Sequence, residues 1–466
     1  MDTQSYFILR GIGGKEMFKK FTNGCVALVQ KYLPDPFLFA VILTFIVFGL
    51  GILFTGQGPM DMVLHWSGGF WKLLEFSMQM ALVLVTGHTL ANAPIVKKGL
   101  SSLARIAKTP TQAIVTVTIV STIACWINWG FGLVIGALFA RELARQIKGV
   151  DYRLLIASAY SGFLVWHSGL SGSIPLKLAT AGADLATATG GAVTEPISTN
   201  STIFAVFNLA IFLVILITLP LLNKAMHPKD DNVVTIDPRL LEENDETAAT
   251  ANKEMTPADR MENSPIISML IGFMGLVFII YYFSKNGFKL NLNIVNFMFL
   301  FTGIILHGTP RKFLDAVTSA AKGTAGIILQ FPFYAGIMGM MTGASAEGFS
   351  LAGVMSNWFV SISNETTFPL FSFLSAGLVN FFVPSGGGQW AVQAPIMMPA
   401  GAALGVPAAK TAMSIAWGDA WTNMIQPFWA LPALGIAGLG ARDIMGFCVV
   451  DLIYTGIIIS IGLMFL

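Results

Sequence analysis

Short hydroxyl and amide side chains collect at four places where glycine or proline interrupts otherwise apolar runs. The most marked is Pro384-Ser385-Gly386-Gly387-Gly388-Gln389. No ordinary helix accommodates a proline and three successive glycines at its centre. In a membrane protein such backbone persists only where it is buried in protein or lines a watery cavity. It reads either as a tight turn between two helices or as the tip of a re-entrant hairpin. In the second case its free N–H groups face an anionic solute. A shorter polar tip, Asn128-Trp129-Gly130, separates two apolar runs earlier in the chain. The remaining two breaks are His167-Ser168-Gly169-Leu170-Ser171-Gly172-Ser173 and Asn423-Met424-Ile425-Gln426-Pro427, the latter preceded by Thr422.

These residues suit the binding of a small anion. A helix N-terminus carries about half a positive charge and exposed N–H groups, so opposed half-helix N-termini can hold a carboxylate without an arginine. Gly130, Gly386, Gly387 and Gly388 would supply backbone donors. Asn128, Ser168, Ser171, Ser173, Ser385, Gln389, Thr422, Asn423 and Gln426 would complete the hydrogen bonds. Freed carbonyls at half-helix C-terminal ends suit Na⁺. Intramembrane ionisable residues are costly and are functional candidates by default. Asp419, one turn before Asn423, is therefore the expected coupling site. It would act either as a Na⁺-facing carboxylate, with Asn423, Ser385 and Asn128 as further oxygen donors, or as a proton carrier. Its structural alternative is a bond to Trp417, Trp421 or a backbone donor. His167 reads equally as a solute contact or as a helix–helix hydrogen bond. His88, Glu75 and Asp451 read as structural or interfacial, and Trp390 and Trp417 as packing aromatics or as walls for an apolar tail. No basic residue lies in either tip, which favours one carboxylate over two, since a dicarboxylate site would be expected to bring an arginine.

The elements that position these groups follow from composition. The chain has 466 residues, 55% hydrophobic and 11% charged, against about one quarter charged in soluble domains. Apolar runs near the ~20 residues that cross a bilayer recur along its length. The expected fold is an all-α polytopic membrane protein. Residues 1–34 carry Phe18, Phe21, Cys25, Val29 and Tyr32 at helical spacing among lysines, as in an amphipathic helix on the cytoplasmic membrane face. Residues 35–223 form a first membrane repeat with a hairpin at 111–147 and a broken helix at 154–178. Residues 224–263 are acidic, lack aromatics and read as a solvated cytoplasmic linker. Residues 264–466 supply an extra helix and a second repeat, with a hairpin at 368–402 and a broken helix at 411–434. Asn128–Gly132 aligns with Gly387–Ala391 and Trp166–Ser168 with Ile425–Pro427, although identity across this shift is slight.

Lysine and arginine placement sets the expected orientation. Lys97, Lys98, Arg105 and Lys108, then Arg141, Arg145, Lys148 and Arg153, fall on the side of the N-terminal lysines, the cytoplasm. The extra helix Pro265–Phe283 inverts the second repeat. About nine crossings plus two re-entrant hairpins result, with the N-terminus cytoplasmic and the C-terminus periplasmic. Lys177, Lys285, Lys289 and Lys410 are exceptions, and two full crossings in place of a hairpin would keep the same charge pattern.

The segment Val383–Pro395, with its Pro-Ser-Gly-Gly-Gly-Gln-Trp core, followed by Ala416-Trp417-Gly418-Asp419-Ala420-Trp421-Thr422-Asn423, resembles the bacterial short-chain fatty acid transporter family. The resemblance covers nearly the whole chain, including the acidic linker. It implies membership of the wider ion transporter superfamily, in which inverted repeats form scaffold and transport domains. These domains often work as homodimers by an elevator motion. It further implies a short monocarboxylate solute such as acetoacetate, butyrate or acetate, coupling to Na⁺ or H⁺, the bacterial inner membrane and no cofactor beyond a coupling Na⁺.

Other classes fit less well. Metalloprotease chemistry would need an HExxH arrangement, and His65, His88, His167, His227 and His307 are scattered. Net charge is +2 with no basic tract, so nucleic acid is not an expected partner. Cys25, Cys125 and Cys448 lie far apart, without the spacing of a disulfide framework or thiolate metal site. A carrier of dicarboxylates or other organic anions, and an anion channel, remain the rival readings.

Overall fold

The computed structural model describes residues 3–32, 36–72, 74–179, 184–228, 233–236, 255–287, 292–384 and 386–466. Every regular element among them is helical. Helices α1 (Thr3–Tyr32), α2 (Pro36–Thr55), α3 (Pro59–Gly69), α4 (Leu74–Asn92) and α5 (Pro94–Ala104) precede the first antiparallel pair, α6 (Pro110–Ile127) and α7 (Trp129–Gln146). Helix α8 (Tyr152–Ser161) tightens into a 3₁₀ turn at Gly162–Ser168, and the chain resumes as α9 (Ser173–Leu178). Helices α10 (Asp184–Ala188) and α11 (Val206–Met226) close the first half.

The second half begins with α12 (Pro257–Glu262), α13 (Pro265–Asn286), α14 (Leu292–His307), α15 (Pro310–Ala321), α16 (Ala325–Thr342) and α17 (Leu351–Ser361). The glycine-tipped pair is α18 (Phe368–Asn380) and α19 (Gly386–Ala403). Helix α20 (Ala408–Thr422) breaks through a 3₁₀ turn at Asn423–Ile425 into α21 (Pro427–Ala437), and α22 (Ala441–Phe465) ends the chain.

Among the described residues, six helices are long and apolar enough to cross a bilayer alone: Phe37–Thr55, Pro110–Ile127, Val206–Met226, Pro265–Asn286, Ala325–Thr342 and Ala441–Phe465. A seventh candidate is the pair Ser77–Leu90 and Pro94–Ala104, which meet at 71°. Pro94 forces that bend, since Ala93 before it takes an extended ψ of 137°. Length and apolarity thus establish fewer spans than the nine crossings expected. Asn293–His307 and Phe368–Asn380 are apolar but shorter. Helix α13 is the most lipid-like: Phe273 and Met274 on it are exposed, whereas Gly272 and Gly275 seat Ile305 and Phe301 of α14. Such a bare apolar face would be a liability in water, and its place is the hydrocarbon layer.

Two expectations meet a different arrangement. The N-terminal apolar stripe is divided: Val26 and Val29 are buried, while Phe21 and Tyr32 stay exposed. Gly446 of α22 explains this, because a Cβ there would lie 2.4 Å from the Val26 Cα, so α1 packs tightly on the last helix. The acidic linker is anchored at one described point, Val234, while Pro257–Glu262 has no buried residue. Val234 N–H donates to Asp151 Oδ2 at 2.9 Å, and the Val234 carbonyl accepts from Tyr152 N–H at 2.8 Å. Asp151 also caps α8 by accepting from Leu154 N–H at 3.0 Å. Lys224 belongs to the last turn of α11 rather than to the linker. Residues 229–232 and 237–254 lie outside the described residues.

Candidate functional site

The two breaks differ in origin. Pro427 opens α21 and holds Gln426 extended at φ −93°, ψ 115°, which ends the helical ladder after Thr422. The other break starts earlier than the His167–Ser173 reading, because the 3₁₀ turn already begins at Gly162. A Cβ on Gly162 would meet Ser121 Oγ and Thr122 N of α6 at 2.5 Å, so the break packs closely on the first pair.

The two breaks grip each other through adjacent residues. His167 Nδ1 lies 2.5 Å from Asp419 Oδ2, and both side chains are fully buried. Trp166 Nε1 donates to Asn423 Oδ1 at 2.9 Å, one helical turn further along. The Trp166 and His167 rings stack at 4.1 Å. Tyr160 OH donates to the Asn423 carbonyl at 2.6 Å. His167 therefore makes the helix–helix hydrogen bond that was one of its two readings.

The charge of the pair follows from its bonds. His167 Nε2 accepts from Ile174 N–H at 3.0 Å, so that nitrogen carries no proton. The imidazole is then neutral with its proton on Nδ1, donated to Asp419. An ionised Asp419 would leave one uncompensated negative charge in a fully buried pair, and that is costly. Its second oxygen, Oδ1, is buried without a partner. A proton or a cation at Oδ1 would neutralise the pair.

The second tip closes on the same pair. Ser385 lies outside the described residues. Gly386 begins α19, and a Cβ there would sit 2.7 Å from His167 Cε1 and 3.2 Å from Asp419 Oδ2. Only glycine lets the chain approach so near. A Cβ on Gly387 would lie 3.4 Å from Lys177 Nζ. No basic residue lies within either tip in sequence, but the fold brings one beside it: α9 turns the exposed Lys177 towards the glycines. A signal existed, since Lys177 is the only lysine or arginine between Arg153 and Lys224.

Most of the predicted amides are committed to packing. Gln389 Nε2 donates to the Ala376 carbonyl and to Gln393 Oε1, both at 2.8 Å, fastening α19 to α18. Thr422 Oγ1 donates to the Gly377 carbonyl at 2.9 Å. Asn423 Nδ2 donates to Gln426 Oε1 at 3.1 Å, and Gln426 Nε2 donates to the Asn380 carbonyl. Asn380, passed over in the sequence, joins the hairpin to the break: its Nδ2 donates to the Asp419 carbonyl at 2.7 Å and to Thr422 Oγ1 at 2.9 Å. Asn380 Oδ1 and Gln389 Oε1, like Asp419 Oδ1, are buried acceptors without a partner. The unsatisfied groups here are oxygens, a fit for protons or a hard cation such as Na⁺.

The first tip touches the break from its own side. Asn128 caps α7 by accepting from Phe131 N–H at 3.0 Å, and Gly130 is buried in that first turn. Trp129 N–H donates to Ser171 Oγ at 3.0 Å, and its ring lies 6.0 Å from that of Trp166. The Ser168 hydroxyl turns back to the Val165 carbonyl, while the Ser168 carbonyl accepts from Asn208 of α11. Ser173 is the first residue of α9. Trp417 is anchored by donating to Asn208 Oδ1 at 2.9 Å, and Trp390 is buried. Glu75 bonds Gln79 at an exposed position, and His88 bonds Arg141. Asp451 is buried in α22 with neither oxygen bonded.

Comparison with known proteins decides the family. The sequence pattern described as Short chain fatty acid transporter matches residues 17–466. The chain belongs to that family. Two provisionally named short-chain fatty acid transporters are close in sequence. The one from Escherichia coli (strain K12) is 46% identical over 447 residues, covering 96% of this chain and 99% of the relative. The one from Haemophilus influenzae is 48% identical over 452 residues, covering 97% and 100%. Among solved structures, the Alcanivorax borkumensis YdaH transporter aligns over 92% of this chain and 97% of its own, at 16% identity and a TM-score of 0.40. Neisseria gonorrhoeae MtrF, titled as illuminating a class of antimetabolite efflux pumps, aligns over 95% and 97%, at 15% identity and a TM-score of 0.34. This member of the short chain fatty acid transporter family is an integral membrane transporter, not an enzyme.

Proposed function

We propose that this transporter is a secondary active carrier that takes up short monocarboxylates, such as acetoacetate, butyrate or acetate, across the bacterial inner membrane. Uptake is coupled to Na⁺ or H⁺. The observation that carries this reading is the start of α19, where Gly386 abuts the His167–Asp419 pair and Gly387 faces Lys177 Nζ. In the reading, the solute carboxylate binds the N–H groups of the glycine tip beside Ser385, with Lys177 adding charge. The coupling ion sits at Asp419 Oδ1, next to the solute. Each ligand then favours the other by opposite charge, which is what coupling requires.

The wider architecture is part of the same proposal. Two inverted repeats place the hairpins 111–147 and 368–402 on opposite faces, and a transport domain carries the breaks by an elevator motion within a homodimer. The N-terminus is cytoplasmic and the C-terminus periplasmic. One carboxylate is enough to satisfy one lysine and one glycine tip, and this favours monocarboxylates over dicarboxylates. Solute counterflow in proteoliposomes tests it. Unlabelled butyrate inside should drive entry of labelled butyrate, and external acetate should compete while succinate does not. Competition by succinate alone would transfer the assignment to a dicarboxylate carrier.

A further inference from the structure

Away from the hairpin tips, α5 and α7 enclose an open cavity of about 930 Å³ lined by Lys98, Ser101, Ser102, Arg105, Arg145 and Gln146, with Glu142. Its electrostatics are one-sided. Glu142 is already engaged, accepting from Gln146 Nε2 at 2.7 Å through Oε1 and pairing with Arg145 at 3.4 Å through Oε2. Among the described residues, Lys98 and Arg105 have no such counter-charge.

The helix that carries these cations has three distinct faces. Lys98, Ser101, Ser102 and Arg105 recur at spacings of three, four and seven residues, so they share one face. Val96 and Leu100 point to the opposite side and pack on Val134, Ala137 and Leu138 of α7. Beside these faces, Ile95 and Leu103 of α5, 65% and 36% exposed, and Ile106 in the turn after the helix, 65% exposed, leave a bare apolar strip. The 71° bend at Pro94 turns α5 away from the direction of α4.

We propose that this cleft binds the phosphate headgroup of an anionic phospholipid, whose acyl chains run along Ile95, Leu103 and Ile106. A free inorganic anion would need the basic face but not the apolar strip beside it. A zwitterionic lipid would need the strip but gain little from two unpaired cations. A phosphodiester with acyl chains uses both. Lys98 and Arg105 hold the phosphate, the serine hydroxyls donate to its free oxygens, and Gln146, bonded to Ser101 at 2.8 Å, fixes the floor of the cleft. The site does not depend on which solute the carrier moves.

Native mass spectrometry of the whole transporter, titrated separately with phosphatidylglycerol and phosphatidylcholine, tests the assignment. Phosphatidylglycerol should be retained preferentially. The exposed double variant Lys98→Gln/Arg105→Gln should lose about twenty-five-fold in its retention, at roughly a factor of five for each basic group. Ile95→Ser/Ile106→Ser should also weaken it, and inorganic phosphate should not displace it. Equal retention of both lipids, or unchanged retention in the Lys98/Arg105 variant, would overturn the proposal. Displacement by inorganic phosphate with no effect of the isoleucine changes would also overturn it, in favour of a free-anion site.

Discussion

His167 Nδ1 and Asp419 Oδ2 meet at 2.5 Å inside the protein, and the other nitrogen of the same ring accepts from Ile174 N–H at 3.0 Å. This relationship makes the pair a charge-sensitive joint between two broken helices. Its neutral state needs one positive charge at Asp419 Oδ1.

Asp419→Asn keeps the shape and the acceptor for His167 but removes the titratable oxygen. Gradient-driven accumulation of butyrate should fall to simple equilibration, while solute counterflow persists. Accumulation at the wild-type level in proteoliposomes would remove Asp419 from the coupling step.

His167→Leu strands the Ile174 N–H and the Asp419 carboxyl together. A buried donor without a partner costs about 1–3 kcal/mol. Thermal unfolding in detergent should show a lower midpoint, and Asp419→Asn in the same background should recover part of it. Independent, additive shifts would show that the two residues are not energetically joined.

Gly386→Ala and Gly418→Ala should separate function from folding. At Gly386 the added methyl meets the edge of the His167 imidazole and an Asp419 oxygen, at 2.7 and 3.2 Å, so the buried pair must shift to admit it. Folded protein with little uptake is expected. At Gly418 it meets the Phe373 carbonyl at 2.3 Å, where α18 and α20 pack, and main chain cannot yield so easily. A loss of about 1–3 kcal/mol in stability should follow, read from the unfolding midpoint.

How much of this was legible in the sequence depended on the kind of signal. Pro427 announces its break by backbone chemistry and opens α21, whereas the second hairpin bends earlier than its glycines, at Phe381–Pro384, and Gly386–Gly388 form the first turn of α19. The break at Gly162 carries no proline, and its close packing on Ser121 and Thr122 is a contact that no local pattern reveals. The sequence marks Gln389, Thr422 and Gln426 as polar groups at the breaks, yet composition cannot tell a donor aimed at solute from one aimed at a neighbouring carbonyl, which is where each of them points. Asn380 and Tyr160 bond across separations of 39 and 263 residues, so their roles required the fold.

Lys177→Gln tests the basic group that the tertiary structure adds to the tip. The lysine is exposed, so its contribution is screened to about 1 kcal/mol. The apparent KM for butyrate should rise about fivefold with little change in maximal rate. An unchanged KM in concentration-dependent uptake would leave the carboxylate to the backbone N–H groups alone.

The most direct test of the central claim is labelled butyrate uptake into proteoliposomes with a Na⁺ gradient and a pH gradient applied separately. Concentrative, saturable accumulation under one of the two gradients, abolished by Asp419→Asn, is the predicted result. Entry that never exceeds equilibration under either gradient, with correctly folded protein, would contradict a coupled monocarboxylate carrier.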